Sequence, residues 1–142
     1  MARIVIVVLL SGAIAHAAAA ASADPDGRYR GNHVGGTGKK LTQTVSFHVS
    51  ADGRRITRLR TTASTFCVGP TLFDNRIFIA PVYVRRIRVA ASGRFRSVTK
   101  PARRTRVQVS GRLRGRRAAG RIDVRIANCS ARDRFVARRV GR

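Results

Sequence analysis

Residues 105–127, TRVQVSGRLRGRRAAGRIDVRIA, decide the fold class because apolar and polar residues alternate on both sides of a central turn. A period of two predicts two β-strands. Gly115-Arg116, with glycine first as a type II′ turn prefers, predicts the turn between them. In this register Val107 faces Val124, and the later pairs follow in step. The same apolar face holds Val109, Gly111, Leu113, Ala118, Gly120, Ile122 and Ile126.

The opposite face of this predicted hairpin is strongly basic. Its members are Arg106, Gln108, Ser110, Arg112, Arg114, Arg117, Ala119, Arg121, Asp123 and Arg125. A slip of one residue would bury these arginines, so the register is well specified. Asp123 is the only acid on this face, and we expect it to relieve repulsion between arginines rather than to act in catalysis.

Shorter alternating runs, separated by Gly, Pro and Asp, predict further short strands. These runs are residues 27–31, 44–50, 54–62, 76–81, 82–89 and 134–140, with one more at Phe95. Asp52-Gly53 predicts a hairpin turn, and the three-residue spacing of Ile56 and Leu59 predicts a bulge. Pro81 divides the run around it, because proline cannot serve a central ladder. Eight or nine short strands predict an all-β fold, an antiparallel β-sandwich, with a barrel as the alternative.

The first 23 residues are typical of a secretory signal peptide. Arg3 supplies the positive start, residues 4–10 form a short apolar segment, and Ala21-Ser22-Ala23 supplies small residues before a cleavage point. An uncleaved anchor is disfavoured, because the apolar run is far shorter than the roughly 20 residues that span a bilayer. We therefore expect residues 24–142 to form a single secreted domain, extracellular or associated with the cell envelope, with no membrane span after signal removal.

Cys67 and Cys129 are the only cysteines. An even number in an exported chain predicts that they pair as a disulfide. The bridge would close a loop of about 60 residues and stabilise the domain by roughly 4 kcal/mol on the chain-entropy estimate. Two sulfurs without a nearby His or Cys partner make a poor zinc site, so we expect no metal and no cofactor.

The chain is strongly basic, with 30 Lys and Arg, 6 Asp and no Glu, a formal net charge of +24. Part of the preference for Arg over Lys is explained by GC-rich coding. Apolar residues make up 44% of the chain, unlike a disordered basic tail, so the charge is expected on a folded surface that attracts polyanions. Aromatic residues placed for base stacking are missing, so sequence-specific nucleic-acid binding is not expected. The arginines predicted to bind polyanions are Arg85, Arg86, Arg88, Arg112, Arg114, Arg117, Arg121 and Arg125.

No motif predicts an enzyme. His33 lies in a predicted glycine-rich loop at residues 32–40, and His48 lies on the solvent side of its strand, without a G-x-S-x-G nucleophile elbow. The six aspartates lack the arrangement of paired catalytic carboxylates. The glycine-rich loop fails as a phosphate loop because Lys40 stands where Ser or Thr is required. We therefore expect a protein without catalytic residues.

Several of these features resemble a set of small secreted actinobacterial β-sandwich proteins whose function is not established. The shared features are Gly27-Arg28-Tyr29-Arg30-Gly31, Asp52-Gly53, Cys67, the pattern G-x-L-x-G-x-x-A-x-G-x-I-x-V at residues 111–124, Cys129, and Phe135-Val136-Ala137-Arg138-Arg139. The resemblance implies a sandwich with a Cys67–Cys129 bridge and brings no catalytic residues. Similar proteins often have Trp where Phe135 stands.

Two functions follow from the sequence. The first is a non-enzymatic secreted protein that binds anionic polymers of the cell envelope through its basic surface. The alternative is an extracellular protein-binding module or enzyme inhibitor that uses an exposed loop at residues 67–74, which contains Gly69-Pro70. A third reading takes the charge as a consequence of composition, without a specific ligand. The ligand, the strand order and the oligomeric state stay open.

Overall fold

The computed structural model describes residues 25–35, 40–70 and 76–142, which form eight β-strands. The strands are β1 (Gly27–Val34), β2 (Lys40–Val49), β3 (Arg55–Cys67), β4 (Arg76–Arg88), β5 (Arg94–Thr99), β6 (Thr105–Arg114), β7 (Arg117–Ile126) and β8 (Cys129–Gly141). Within these ranges no helix is long and apolar enough to cross a membrane. The predicted signal peptide lies outside the described residues.

All eight strands belong to one antiparallel sheet in the order β4-β3-β2-β1-β8-β7-β6-β5. The edge strands β4 and β5 meet at a single bridge between Val89 and Phe95. Buried side chains from every strand form one cluster, so the sheet curls over a single core. The predicted all-β class, the antiparallel pairing and the strand number are confirmed. The strands form one continuous sheet where a sandwich has two.

The register predicted for the hairpin at residues 105–127 is confirmed pair by pair. Val107 lies opposite Val124, and this alternation continues to the turn. Gly115 has a φ of 52°, the left-handed conformation that the first position of a type II′ turn requires. The pairs on the inner face are Val107↔Val124, Val109↔Ile122, Gly111↔Gly120 and Leu113↔Ala118.

The Gly111–Gly120 pair makes room for two core aromatic rings. A Cβ atom on Gly111 would lie 2.6 Å from the ring of Phe95, and one on Gly120 would lie 2.7 Å from the ring of Phe135. Both distances are shorter than real Cβ contacts. The rings therefore cover the backbone where the glycines have no side chain. This explains the glycines in the middle of strands, where they usually cost stability.

Tyr29, near the start of β1, is fully buried. Its ring stacks on Phe47 at 5.1 Å between centroids, and Phe47 meets Phe135 edge to face at 6.4 Å. The Tyr29 hydroxyl lies 2.8 Å from the carbonyl oxygens of Pro25 and Gly115. The buried hydroxyl group is thereby satisfied, and β1 is tied to the β6–β7 turn.

The bulge predicted in β3 is confirmed. Ser46 pairs with Arg60 and His48 pairs with Thr57, so one residue of β2 faces two residues of β3. Arg58 occupies the extra position with a φ of 53°. The bulge returns Ile56 and Leu59 to the same inner face, where both are fully buried.

Two details of the predicted strands are wrong. Pro81 does not divide a strand, because β4 is continuous through it. At this point β4 is an edge strand that pairs only with β3, so the missing N–H of proline leaves no neighbouring strand without a hydrogen bond. Residues 32–34 are not loop, since β1 extends to Val34 and pairs with β8. His33 is consequently 1% exposed, in the core rather than in a loop.

The predicted disulfide between Cys67 and Cys129 is confirmed, with an S–S distance of 2.01 Å and a separation of 62 residues. The two cysteines lie opposite one another where the end of β3 meets the start of β8. The bridge therefore joins two strands that β2 and β1 separate over the rest of the sheet.

Candidate functional site

The outer face of β6, β7 and β8 carries many exposed arginines. Five of the eight arginines predicted to bind polyanions lie on its β6–β7 part, because residues alternate between the core and solvent along each strand. They are Arg112, Arg114, Arg117, Arg121 and Arg125. The other three, Arg85, Arg86 and Arg88, lie on β4 at the far end of the strand order. The structure thus divides the predicted set into two clusters.

Arginines on this sheet stand directly opposite other arginines. Among the described strands the pairs are Arg106↔Arg125, Arg114↔Arg117, Arg121↔Arg134, Arg117↔Arg138, Arg94↔Arg112, Arg30↔Arg138 and Arg55↔Arg88. Like charges directly opposite one another destabilise an antiparallel sheet. Every side chain in these pairs is exposed. Solvent and salt therefore weaken the repulsion without removing it.

A cleft of about 520 Å³ opens on this face, and we call it the arginine cleft. Its lining residues are Arg106, Gln108, Arg121, Asp123, Val124, Arg125, Ser130, Ala131 and Arg132. Four arginines and one aspartate line it, so its net charge is positive. The cleft is open to solvent, as a polymer would require.

Two polar side chains hold arginines of this cleft in place. Asp123, which is predicted to relieve repulsion on this face, accepts a hydrogen bond from Arg132 Nε at 2.8 Å. The Gln108 Oε1 atom accepts from Arg106 at 3.3 Å and from Arg96 at 3.5 Å. Of these two arginines, Arg106 lines the cleft.

A second open cleft of about 800 Å³ shares Arg106 and Arg125 with the first. Its remaining basic side chains are Lys100, Arg103 and Arg104, from the segment between β5 and β6. The positive surface therefore continues around the end of β6. A chain of anionic groups can follow it over more than one cleft.

The β4 arginines form a smaller cluster. Arg85 and Arg86 line an open cleft of about 460 Å³ with His48, which lies on the outer face as predicted. The Arg60 guanidinium lies 5.8 Å from the centroid of the exposed Tyr83 ring, within the range of a cation–π contact. This cluster is distinct from the arginine cleft.

The structure also assembles a group that the sequence analysis missed, formed by the buried His33 and Thr61 with the partly exposed Asp133. His33 Nε2 lies 2.7 Å from the Thr61 hydroxyl, and His33 Nδ1 lies 3.4 Å from Asp133 Oδ2. Desolvation by burial lowers the pKa of His33, and the Asp133 carboxylate opposes this shift. The signal was present in the sequence, since Tyr29 and His33 share the parity of the inner face.

The order hydroxyl, imidazole, carboxylate is that of a hydrolytic triad, but this group is closed to substrate. His33 is 1% exposed and Thr61 is 8% exposed. The Thr61 hydroxyl also lies 2.8 Å from the Thr44 carbonyl oxygen, to which it can donate. These contacts join β1, β2, β3 and β8 inside the core. We therefore assign the group a structural role.

The remaining candidates offer little chemistry. In the described parts of the chain no three His, Cys or Asp side chains converge as a metal site. Of the predicted binding loop at residues 67–74, the structure describes Cys67 to Pro70. There the Val68 N–H donates to the Asn128 carbonyl at 3.3 Å, and the Asn128 amide donates to the Val68 carbonyl. Residues 71–74 lie outside the described ranges, so the loop hypothesis stays a prediction.

The comparisons with known proteins add no family. The resemblance to small secreted actinobacterial proteins also stays a prediction. No protein-family model, no curated protein and no solved structure matches this chain significantly.

Proposed function

We propose that this chain is an exported, non-enzymatic protein that binds phosphate-rich or other anionic polymers of the cell envelope. The observation that carries the proposal is the set of arginines that face arginines across β6, β7 and β8. A sheet that holds like charges at neighbouring positions is stabilised when anions bind between them. Binding also releases the counterions that such polymers hold, which favours association at low salt.

Three features support this proposal over a scattered surface charge. The cleft arginines come from adjacent strands of a rigid sheet, and Asp123 and Gln108 orient part of them. The positive surface continues into the second cleft. The disulfide is typical of proteins in oxidising compartments outside the cytoplasm, where envelope polymers occur.

The test is co-sedimentation of the purified protein with isolated cell envelope over a salt series, with duplex DNA as competitor. We expect the binding constant to fall steeply with salt and DNA to compete. In the variant Arg121→Gln/Arg125→Gln, the slope of log K against log salt should decrease by about 1 to 2, as for the loss of one or two phosphate contacts.

The matched control is Arg54→Gln/Arg142→Gln, which removes the same charge from exposed positions outside the arginine cleft. It should bind almost as the unsubstituted protein does. Equal losses in both variants would show that only the total charge matters. Binding that resists salt and DNA would contradict the electrostatic proposal and point to a specific partner.

A further inference from the structure

The hairpin of β3 and β4 exposes an apolar surface that the proposed polymer binding does not use. It consists of Phe66, Ile77, Ile79 and Tyr83, with 45%, 70%, 59% and 57% of their surface exposed, respectively. We call these four side chains the apolar ladder. Ile79 and Tyr83 alternate along β4 with Ala80 and Val82, which enter the core, and Phe66 lies on β3. The ladder therefore lies on the outer face of the sheet.

Two pairings place Phe66, Ile77 and Ile79 on one patch, and Tyr83 lies beyond Pro81 on the same face. Ile77 lies opposite Phe66, and Ile79 lies opposite Ser64 on the same face. From Ile77 to Tyr83 the strand rises about 20 Å at roughly 3.3 Å per residue. Exposed apolar side chains in such a row are unusual unless they mark an interaction surface.

The apolar ladder adjoins the arginine cleft. Phe66 lies opposite Ser130 of β8, and Ser130 lies opposite Arg125 of β7. Two strand spacings therefore separate Phe66 from Arg125, about 10 Å. Arg76 and Arg85 also lie on β4 beyond the two ends of the ladder. Apolar groups and guanidinium groups thus share the same outer surface.

We propose that this surface docks on a lipid bilayer that contains anionic lipids, with the apolar ladder inserted at the level of the headgroups. An anionic lipid carries a phosphate beside its acyl chains. This surface carries guanidinium groups, which suit the phosphate, beside apolar side chains, which suit the acyl chains. Long arginine side chains can reach phosphates while the residues between them enter the interface. Tyrosine suits this level because its ring is apolar and its hydroxyl is polar. Apolar burial and electrostatic attraction to anionic lipids then add.

Charge argues against a second copy of the chain as the occupant. Two copies that met through β4 would bring Arg76, Arg85 and Arg86 of each chain together without an acidic partner on that strand. A polymer of phosphates would leave the apolar ladder uncovered. The inference extends the proposed function and shares with it only the attraction to anions.

The test is co-sedimentation of the purified protein with vesicles of phosphatidylcholine alone or mixed with phosphatidylglycerol. We expect binding only to the anionic vesicles. The variant Ile77→Ser/Ile79→Ser should bind them about tenfold more weakly, because it removes apolar groups from the inserted face. The control Val140→Ser should bind unchanged, since Val140 is 57% exposed at the opposite end of β8.

A second measurement uses the absence of tryptophan from the sequence. Brominated lipid in anionic vesicles should quench the tryptophan fluorescence of the Ile77→Trp variant, and it should not quench that of the Val140→Trp variant. This readout stays informative even where the serine variant is destabilised. Polyphosphate binding, measured on the same serine variant, should be retained, which separates a failure of this inference from a failure of the proposed function.

Three results would overturn the inference. One is that the unsubstituted protein does not bind anionic vesicles. Another is that it binds them equally well after Ile77→Ser/Ile79→Ser, with both tryptophan reporters unquenched. The third is a salt-stable dimer that the serine substitutions dissociate while vesicle binding is unchanged, which would assign the apolar ladder to a second copy.

Discussion

Removal of the Cys67–Cys129 disulfide should lower the melting temperature by about 15 °C while leaving the protein folded at 25 °C. The bridge spans 62 residues, and the chain-entropy estimate for a loop of this length is about 4 kcal/mol. For a domain of this size each kcal/mol corresponds to roughly 4 °C. Small domains have a total stability of about 5–15 kcal/mol, so the folded state survives the loss.

The structure indicates that the effect acts mainly on the unfolded chain. Pairing of β3 with β8 is confined to two residue pairs, Phe66 with Ser130 and Cys67 with Cys129. The rest of β3 is held by β2 and β4, and the rest of β8 by β1 and β7. Breaking the bridge therefore leaves these ladders intact.

The assay is thermal unfolding followed by circular dichroism. It compares the oxidised protein, the same protein reduced with a phosphine, and the variant Cys67→Ser/Cys129→Ser. The reduced protein is the matched control, because it keeps both sulfur atoms in place. Reduced and substituted proteins should melt within a few degrees of each other and far below the oxidised protein. Melting of all three within about 3 °C, a small part of the loop-entropy expectation, would refute the reasoning.

Three further changes have expected effects on stability. Gly120→Ala should lower the free energy of unfolding by about 2 kcal/mol through overpacking, because its Cβ would overlap a core ring. The control Gly141→Ala should be neutral, because a Cβ there would meet only an arginine side chain at 3.4 Å. Equal urea midpoints for the two variants would contradict this prediction. Burial lowers the pKa of His33 below 6.5, so between the folded and unfolded pKa values the unfolded chain binds a proton that the folded chain does not. The stability that comes from keeping His33 neutral is therefore complete above about pH 6.5, and it is lost as the pH falls toward the folded pKa. His33→Gln should flatten that dependence in melting curves between about pH 7 and 5, and an unchanged slope would count against the assignment. Arg58→Gly should raise the melting temperature by a few degrees because Arg58 has a φ of 53°, and the same substitution at Arg60, on the same strand, should lower it; a loss in both would show that the bulge is not strained.

The β6–β7 hairpin could be predicted from the sequence because several local signals agree there. Alternation sets the faces, Gly115 sets the turn, and a register slip would bury Arg112 and Arg121 in the core. Each signal depends on residues close together in the chain. The structure confirms all of the predicted pairs.

Features that depend on distant strands could not be predicted in the same way. The tolerance of Pro81 inside a strand could not be predicted. It depends on β4 lying at a sheet edge, and that position is set by the order of all eight strands. His33 was assigned to a loop because the glycines after it hid its parity with Tyr29, and its partner Asp133 lies 100 residues further along the chain. The exposure of Ile77 and Ile79 could not be predicted, since apolar composition does not show whether a strand face is covered. The two arginine clusters were likewise predicted as a set, and only the strand order separates them.

The arginine surface and the rest of the fold are linked through stability. Seven arginine–arginine pairs oppose folding, although solvent and salt weaken each repulsion. The core offsets this repulsion, and it draws buried side chains from every strand. A ligand that binds the folded protein alone raises its stability as its concentration exceeds the dissociation constant, and an anion would do so by relieving these pairs. Positive charge that destabilises the isolated sheet is therefore the same charge that makes an anionic partner a stabiliser. Because this gain depends only on the ligand concentration and the dissociation constant, a polymer that engages the arginine cleft should raise the free energy of unfolding by the same amount with and without the disulfide.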